Sequence, residues 1–182
     1  LSSRNFSSTN YYLEMSNPQK FSKTRYQGIP RVLAFLTRGD EVLLMKRADD
    51  RPVFPGLYNG LGGHVERSES VLAAAYREIE EESGLRPQRL WLCADVSIDT
   101  GDADIGIHMS VFCGPAPQDG ELRQSDEGTL QWVTVSKLAD LPMVEDIPTL
   151  LPKVLAVPPD GKPLWALYTY DDAGKLDMHF EE

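Results

Sequence analysis

Apolar and polar residues form blocks along the chain that predict several strands and two helices. Two apolar runs, Val32–Leu36 and Val42–Met45, flank the polar tetrapeptide Arg38–Glu41. Apolar runs separated by a short turn containing glycine predict a β-hairpin. Because both runs are almost wholly apolar, we expect the two strands to be covered on both faces.

Segments typical of strands recur farther along the chain. They predict strands at residues 89–99, 105–112, 130–135, 164–170 and 175–180. The last two flank Asp171–Gly174, a sequence that favours a turn, so we expect a second hairpin there. A helix is predicted at 147–157, after Asp146, with Pro148 in the first turn, where proline is tolerated.

Another helix is predicted from Ser70 to Ser83, because apolar residues recur there with helical spacing and Gly84 follows as a typical terminator. Four apolar side chains lie on one stripe of this helix and are expected to face the core: Leu72, Ala75, Tyr76 and Ile79. Residues 48–58 precede it and contain prolines and several charges, which predicts a long loop.

The same helix carries an acidic face beside its apolar stripe. At about 100° per residue, Glu78, Glu81 and Glu82 lie on one side, whereas Glu80 points elsewhere. Glu78 and Glu82 repel each other at this spacing, and the helix dipole disfavours anions near the C-terminal end. Arg77 can neutralise one carboxylate, and the remaining charge suits a hard divalent cation. A solvated acidic face with ion pairs is the alternative.

The spacing of these residues favours the functional interpretation. From Gly63 to Leu85 the sequence follows G-x5-E-x7-R-E-U-x-E-E-x-G-U, where U is apolar, without a departure. Seven fixed identities at average residue usage give a chance match on the order of 10⁻⁸ per starting position. The pattern is the Nudix box, so the chain resembles the Nudix hydrolases. In motif it is closest to the branch that cleaves 8-oxo-dGTP and other nucleoside triphosphates.

The resemblance implies an α+β fold, an α/β/α sandwich with a mixed β-sheet between helices. It also implies hydrolysis of a diphosphate by water activated among glutamates and Mg²⁺, for which Mn²⁺ can substitute. The implied catalytic residues are Arg77, Glu78, Glu81, Glu82 and Glu127. The implied metal ligands are the Gly62 carbonyl, Glu78, Glu81, Glu82 and Glu127. Gly63, Glu69 and Gly84 are implied to support the geometry of the motif.

Glu127 is assigned from outside the box. In related family members an acidic residue several positions before a tryptophan supplies a ligand or base, and here Ser125–Glu127 precedes Trp132. A solvated loop carboxylate is the alternative interpretation.

The residues around the box indicate a purine nucleotide as substrate. Tyr58–Gly63 resembles a W-N-G-F-G-G segment of Nudix enzymes that remove oxidised purine nucleoside triphosphates, and Met143–Asp146 resembles a segment that meets the base in the same enzymes. The expected substrate-binding residues are Asn59, Lys46, His64, Met143, Glu145 and Asp146. For Asn59 a role in the turn is the alternative, and for Asp146 a role as helix N-cap.

Composition and charge limit the classes of molecule that the chain is expected to bind. The chain of 182 residues has 18 Lys and Arg against 28 Asp and Glu, a net charge of −10 that disfavours a nucleic-acid polymer. Residues 1–28 are polar and lack a period, so we expect a flexible tail, native or artificial, before one Nudix domain at 29–182. Cys93 and Cys113 lack the spacing of a zinc site and are expected to be buried thiols.

The chain shows no apolar run long enough for a membrane helix and no signal-peptide core, which predicts a cytoplasmic protein without a membrane partner. We expect a monomer or a homodimer. The first functional hypothesis is a Mg²⁺-dependent hydrolase that converts a nucleoside triphosphate to a monophosphate and pyrophosphate. Hydrolysis of ADP-ribose or a nucleotide sugar is the second. A domain that senses a nucleotide without turnover is the third.

Overall fold

A computed structural model describes residues 25–123 and 126–181. Its strands are β1 (Gln27–Arg38), β2 (Glu41–Arg47), β3 (Tyr58–Asn59), β4 (Trp91–Asp99), β5 (Ile105–Pro115), β6 (Gly128–Thr134), β7 (Leu164–Tyr170) and β8 (Leu176–Phe180). The helices are α1 (Val71–Ser83) and α2 (Ile147–Leu155), with a 3₁₀ helix at Val135–Asp140. Neither α-helix within the described ranges is long and apolar enough to cross a membrane.

The strands form one mixed sheet in the order β3-β2-β1-β5-β4-β7-β8, with β6 paired to β2. The β1–β5 and β4–β7 pairs are parallel, and the other pairs are antiparallel. Because side chains alternate along a strand, β1 directs Val32 and Ala34 to the α1 face of the sheet, and Leu33 and Phe35 to the α2 face. This arrangement confirms the α+β fold with a mixed sheet between helices.

The predicted hairpin at the start of the sheet and the five later strands are all present. Two short elements, β3 and the 3₁₀ helix, were not predicted. β3 consists of two residues paired with Met45 and Lys46, which is too short to show a hydrophobic period. α2 ends at Leu155, earlier than predicted, and continues through Pro152.

The predicted tail was too long at its C-terminal end. Gln27–Gly28 belong to β1 and pair with Ile105–Gly106 of β5. The neighbouring strand satisfies their backbone groups, so these residues join the sheet without an apolar pattern of their own. The predicted tail residues 1–24 lie outside the described part of the chain, as does Ser125 of the predicted acidic loop.

Helix α1 begins and ends as the sequence predicts. The Ser70 hydroxyl accepts a hydrogen bond from the Ala73 N–H (3.2 Å). At the other end Gly84 has a φ of 74°, and its N–H donates to the Glu80 carbonyl (2.8 Å). These two caps fix the register of α1 relative to the loop before it.

The predicted core stripe of α1 was wrong at Leu72, which is 42% exposed. The buried positions of the helix are instead centred on Ala74, Ala75 and Ile79. Two adjacent alanines allow the helix to approach the sheet closely, so the helix is rotated toward them and Leu72 faces outward. This rotation brings Glu82 to the buried side of the helix, where it is 5% exposed.

Candidate active site

The site begins with a glycine-rich segment, residues 60–65, that runs antiparallel to β1. The Val32 N–H donates to the Gly63 carbonyl (2.9 Å), and Ala34 exchanges two backbone hydrogen bonds with Leu61 (2.7 and 3.0 Å). Gly62 has a φ of 154°, and a Cβ there would lie 2.9 Å from the Val32 carbonyl carbon. Glycine is therefore required where this segment passes β1.

The segment presents Gly62 and Gly63 to α1. The Gly62 N–H donates to Glu82 Oε2 (2.9 Å). Since the Leu61 and Gly63 carbonyls both accept from β1, alternation along the chain turns the Gly62 carbonyl the other way, toward the helix. A Cβ on Gly63 would lie 2.7 Å from Glu78 Cδ, so glycine at this position leaves room for the carboxylate.

Arg77 connects the helix to the preceding loop. Its guanidinium binds both oxygens of Glu69 (3.0 Å each), and Nη2 also donates to the His64 carbonyl (3.0 Å). The same group donates to Glu78 Oε1 (2.9 Å) and Glu81 Oε2 (3.1 Å). The sequence predicted one carboxylate partner for Arg77, and the structure shows three. Hydrogen bonds from Arg77 lower the pKa of Glu69 and hold it ionised.

Two carboxylates of the helix, those of Glu82 and Glu78, have raised pKa values. The pKa of Glu82 is raised to about 8, chiefly by burial and also by the charges of Glu78 and Glu127, whereas the Gly62 N–H and Arg47 lower it. Burial also raises the pKa of Glu78, although Arg77 opposes this. A cluster of carboxylates with raised pKa values is a typical feature of a functional site.

Glu127 immediately precedes β6, which pairs with β2 along its length. The Glu127 carbonyl accepts from the Ala48 N–H (2.9 Å), and its carboxylate is 3.6 Å from Arg51 Nη2. Its charge acts on both Glu78 and Glu82. The structure therefore brings this residue, distant in sequence, to the acidic side of α1.

The donor set fits a hard divalent cation. Carboxylates and a backbone carbonyl are the ligands that Mg²⁺ and Mn²⁺ prefer, and Glu82 is buried among like charges that a cation would neutralise. Within residues 25–123 and 126–181, no three His, Cys, Asp or Glu side chains already form a group that could hold a metal ion. Arg77 and Gly62 hold the carboxylates in their present directions, so metal ligation requires them to turn.

The structure does not bring Lys46 to this cluster. In β2, Met45 packs on the α1 face of the sheet and Leu44 on the α2 face, so alternation places Lys46 on the α2 face and Arg47 on the α1 face. Arg47 is accordingly the cation that lowers the pKa of Glu82. The side chain of His64 is exposed, and the residue contacts the site through its backbone carbonyl.

A cavity of about 360 Å³ lies on the α2 face and is lined by three of the predicted substrate-binding residues, Asn59, Glu145 and Asp146. Burial raises the pKa of Asp146 to about 6, with a further contribution from the charge of Glu145. Asp146 occupies the N-cap position of α2, as the alternative interpretation predicted, but its side chain makes no capping hydrogen bond there. Met143 does not line the cavity but pairs with Tyr58 and packs into the core.

Sequence reasoning missed several polar residues of this cavity, among them Arg31 on β1 and Tyr168 on β7. Both lie in segments that it assigned to no site. Tyr168 is 1% exposed and is indistinguishable in sequence from a core tyrosine of a buried strand. Only the strand order, which sets β1 and β7 on either side of β5 and β4, identifies them as cavity residues.

Comparison with known proteins places these features in a family. The NUDIX domain model matches residues 29–154. The NAD-capped RNA hydrolase NudC of Pseudomonas aeruginosa is 32% identical over 121 residues, 65% of this chain and 40% of that protein. An oxidized purine nucleoside triphosphate hydrolase of Danio rerio is 34% identical over 85 residues, 46% of this chain and 53% of that protein. The chain thus spans about half or less of the length of these two relatives.

Solved structures share the fold. The MutT protein from Bacillus halodurans superposes with a TM-score of 0.69 at 24% identity, covering 84% of this chain and 97% of that one. At this identity the likeness concerns the fold.

Proposed function

Since this chain belongs to the Nudix family, we propose that it is a Mg²⁺-dependent hydrolase that converts a nucleoside triphosphate to a monophosphate and pyrophosphate. One observation carries the proposal: a single short segment borders both the cavity and the carboxylates. Asn59 lines the cavity, and Gly62 donates to Glu82. Three residues of extended chain span about 10 Å, a length that ribose and phosphates can bridge.

The chemical roles of the proposed reaction, metal binding and proton transfer, would fall to glutamates of α1 and to Glu127. Glu78, Glu81 and Glu82, with the Gly62 carbonyl, would hold the metal, and Glu127 or a glutamate of the helix would take the proton from water. A bound Mg²⁺ would neutralise phosphate charge and lower the pKa of a water molecule. Arg77 positions the carboxylates through Glu69 and the His64 carbonyl.

The cavity supports a purine base, including an oxidised one such as 8-oxoguanine. Its walls are largely apolar, and the Asn59 amide can donate to a base edge while its Oδ1 accepts from the Gly60 N–H (2.8 Å). Asp146 supplies an acceptor nearby. The similarity to the Danio rerio enzyme, whose name specifies oxidized purine nucleoside triphosphates, supports the same substrate class.

The similarity to NudC favours a second candidate, cleavage of the pyrophosphate in a dinucleotide such as NAD or in ADP-ribose. Both candidates use the same carboxylates and differ in what lies beyond the second phosphate. The base cavity does not discriminate between them.

A substrate panel separates the candidates. Protein with Mg²⁺ is incubated with 8-oxo-dGTP, dGTP, dATP, ADP-ribose and NAD, and products are identified by chromatography. We expect nucleoside monophosphate and pyrophosphate from the triphosphates. Nucleoside monophosphate from ADP-ribose or NAD alone would favour the second candidate. Nucleotide binding without turnover of any compound would contradict both and favour a sensing domain.

A further inference from the structure

Part of one sheet face is left uncovered beyond helix α1. The apolar cluster beneath α1 includes no described residue of β7 or β8. On β7, Ala166 and Tyr168 pack into the core on the α2 face. Trp165 and Leu167 alternate with them and therefore point to the α1 side, where they are 52% and 43% exposed. These two side chains form an apolar patch, and exposed patches of this kind mark surfaces that another segment or molecule covers.

A groove of about 470 Å³ leads from the apolar patch to the point where the described part of the chain begins. Its lining includes Leu167 on β7, Ser97 and Asp99 on β4, and Tyr26 just before β1. The Tyr26 ring lies over β5, since a Cβ on Gly106 would be 2.6 Å from its Cζ. The chain before β1 therefore reaches the sheet at one end of this groove.

The strands around the groove and the segment before β1 have opposite charge. Residues 91–115 and 164–180, which form the β4–β5 and β7–β8 hairpins, contain seven Asp against one Lys and no Arg. Asp95 is paired in register with Trp165, so its side chain lies on the same face as the apolar patch. Residues 1–25 contain two Lys and two Arg against one Glu. Attraction between these charges favours contact between the segment and this face.

We propose that residues 20–24 lie along this groove and cover the apolar patch. Phe21 is five residues before Tyr26, and five residues of extended chain reach about 17 Å. Strand β7 is the third strand from β1 in the sheet, about 14 Å away at the usual strand spacing, so Phe21 can reach the patch. Lys20 and Lys23 flank Phe21 and would lie against the aspartates. The contact does not depend on the proposed activity.

Zero-length cross-linking of the full chain tests the contact. A carbodiimide joins a lysine amine to a carboxylate only where the two groups touch, and mass spectrometry of the digested protein identifies each pair. We expect the two lysines that flank Phe21 to link to Asp99 or Asp102 of the groove at least about fivefold more often than to Glu145. Glu145 is exposed and lines the cavity on the opposite face of the sheet, beside the same end of β4.

Two pairs of substitutions make the test specific. Trp165→Ser with Leu167→Ser removes the apolar patch at exposed positions, and the links should fall at least about fivefold. Val71→Ser with Leu72→Ser is the matched control, since these neighbours on α1 are also apolar and are 40% and 42% exposed. The links should be unchanged in the control. An equal loss in both variants, or no loss in the first, would overturn the inference.

A mixture of ¹⁴N- and ¹⁵N-labelled protein identifies the chain that supplies the segment. Links within one chain would support the inference. Links that join ¹⁴N to ¹⁵N chains would show that a second copy covers the face and would overturn it. Links to the groove aspartates no more frequent than those to Glu145, or no links at all, would also overturn it.

Discussion

At the scale of single residues, Glu82 is the group whose burial and charge are hardest to reconcile. It is 5% exposed, accepts one backbone hydrogen bond, and has a pKa of about 8. A buried acid of this kind is stable only when protonated or when a cation lies beside it. The metal-free protein should therefore keep Glu82 largely protonated at neutral pH.

This pKa makes the stability of the metal-free protein depend on pH. The folded value of about 8 lies above the ordinary value of 4.5, so protonated Glu82 stabilises the fold fully below about pH 4.5. That contribution is lost as pH rises to about 8, because the unfolded chain ionises first. We expect urea unfolding in EDTA to show a loss of up to about 4 kcal/mol across this range, and Glu82→Gln to remove most of it.

Asp146→Asn provides the comparison, since Asp146 has a pKa of about 6 against an ordinary 3.8 and affects only the more acidic part of the range. An equal pH dependence in Glu82→Gln and the wild-type protein would contradict the burial argument.

Activity should depend on the same face of α1. We expect Glu81→Gln or Glu82→Gln to lower kcat at least about 100-fold while the fold stays intact, because each removes a charge from the proposed metal site. Glu80→Gln is the control, since Glu80 pairs with Arg86 on another side of the helix, and its kcat should stay near the wild-type value. Wild-type turnover in both Glu81→Gln and Glu82→Gln would remove this site assignment.

At the scale of elements, the site depends on how closely α1 and the glycine segment approach each other. Gly63→Ala would press a methyl group against the Glu78 carboxylate. We expect a loss of about 1–3 kcal/mol in the free energy of unfolding, together with lower kcat, because Glu78 must move. Denaturant unfolding and steady-state kinetics measure the two effects.

Gly28→Ala is the matched control for that substitution. A Cβ on Gly28 would lie 3.6 Å from the His108 Cβ, an ordinary contact, so stability and kcat should change little. Equal effects of the two substitutions would mean that the contact between Gly63 and Glu78 is unimportant.

The sequence predicted the elements better than their orientation. Helix α1 could be located to within a residue because Ser70 and Gly84 are strong local signals. The rotation of the helix about its axis could not be predicted from the sequence. Leu72 faces outward and Glu82 is buried because the helix packs against β1 through Ala74 and Ala75. The number of partners of Arg77 depends on the loop folding back, which no spacing in the helix indicates.

At the scale of the whole molecule, the carboxylates lie on the α1 face of the sheet and the cavity proposed for the base lies on the α2 face. The segment from Asn59 to Gly63 passes from one to the other at the end of β3. Sequence motifs located the residues contributed by this segment and by α1. They could not identify Tyr168, because the cavity is assembled from β1, β4, β5 and β7, which are brought together only by the strand order.

The net charge of the whole chain, −10, bears on how it could bind its substrate. A polyphosphate would be repelled by a protein of this charge unless local cations or metal ions neutralise it. Binding of divalent ions is therefore the step on which both the site assignment and the proposed activity depend.

Calorimetric titration with Mg²⁺ at pH 7, in two buffers of different ionisation enthalpy, tests that step most directly. We predict that the wild-type protein binds Mg²⁺ and releases a proton, because Glu82 must ionise to become a ligand. Glu82→Gln should bind at least about tenfold more weakly and release no proton. No Mg²⁺ binding by the wild-type protein, or identical binding and proton release by Glu82→Gln, would contradict the account.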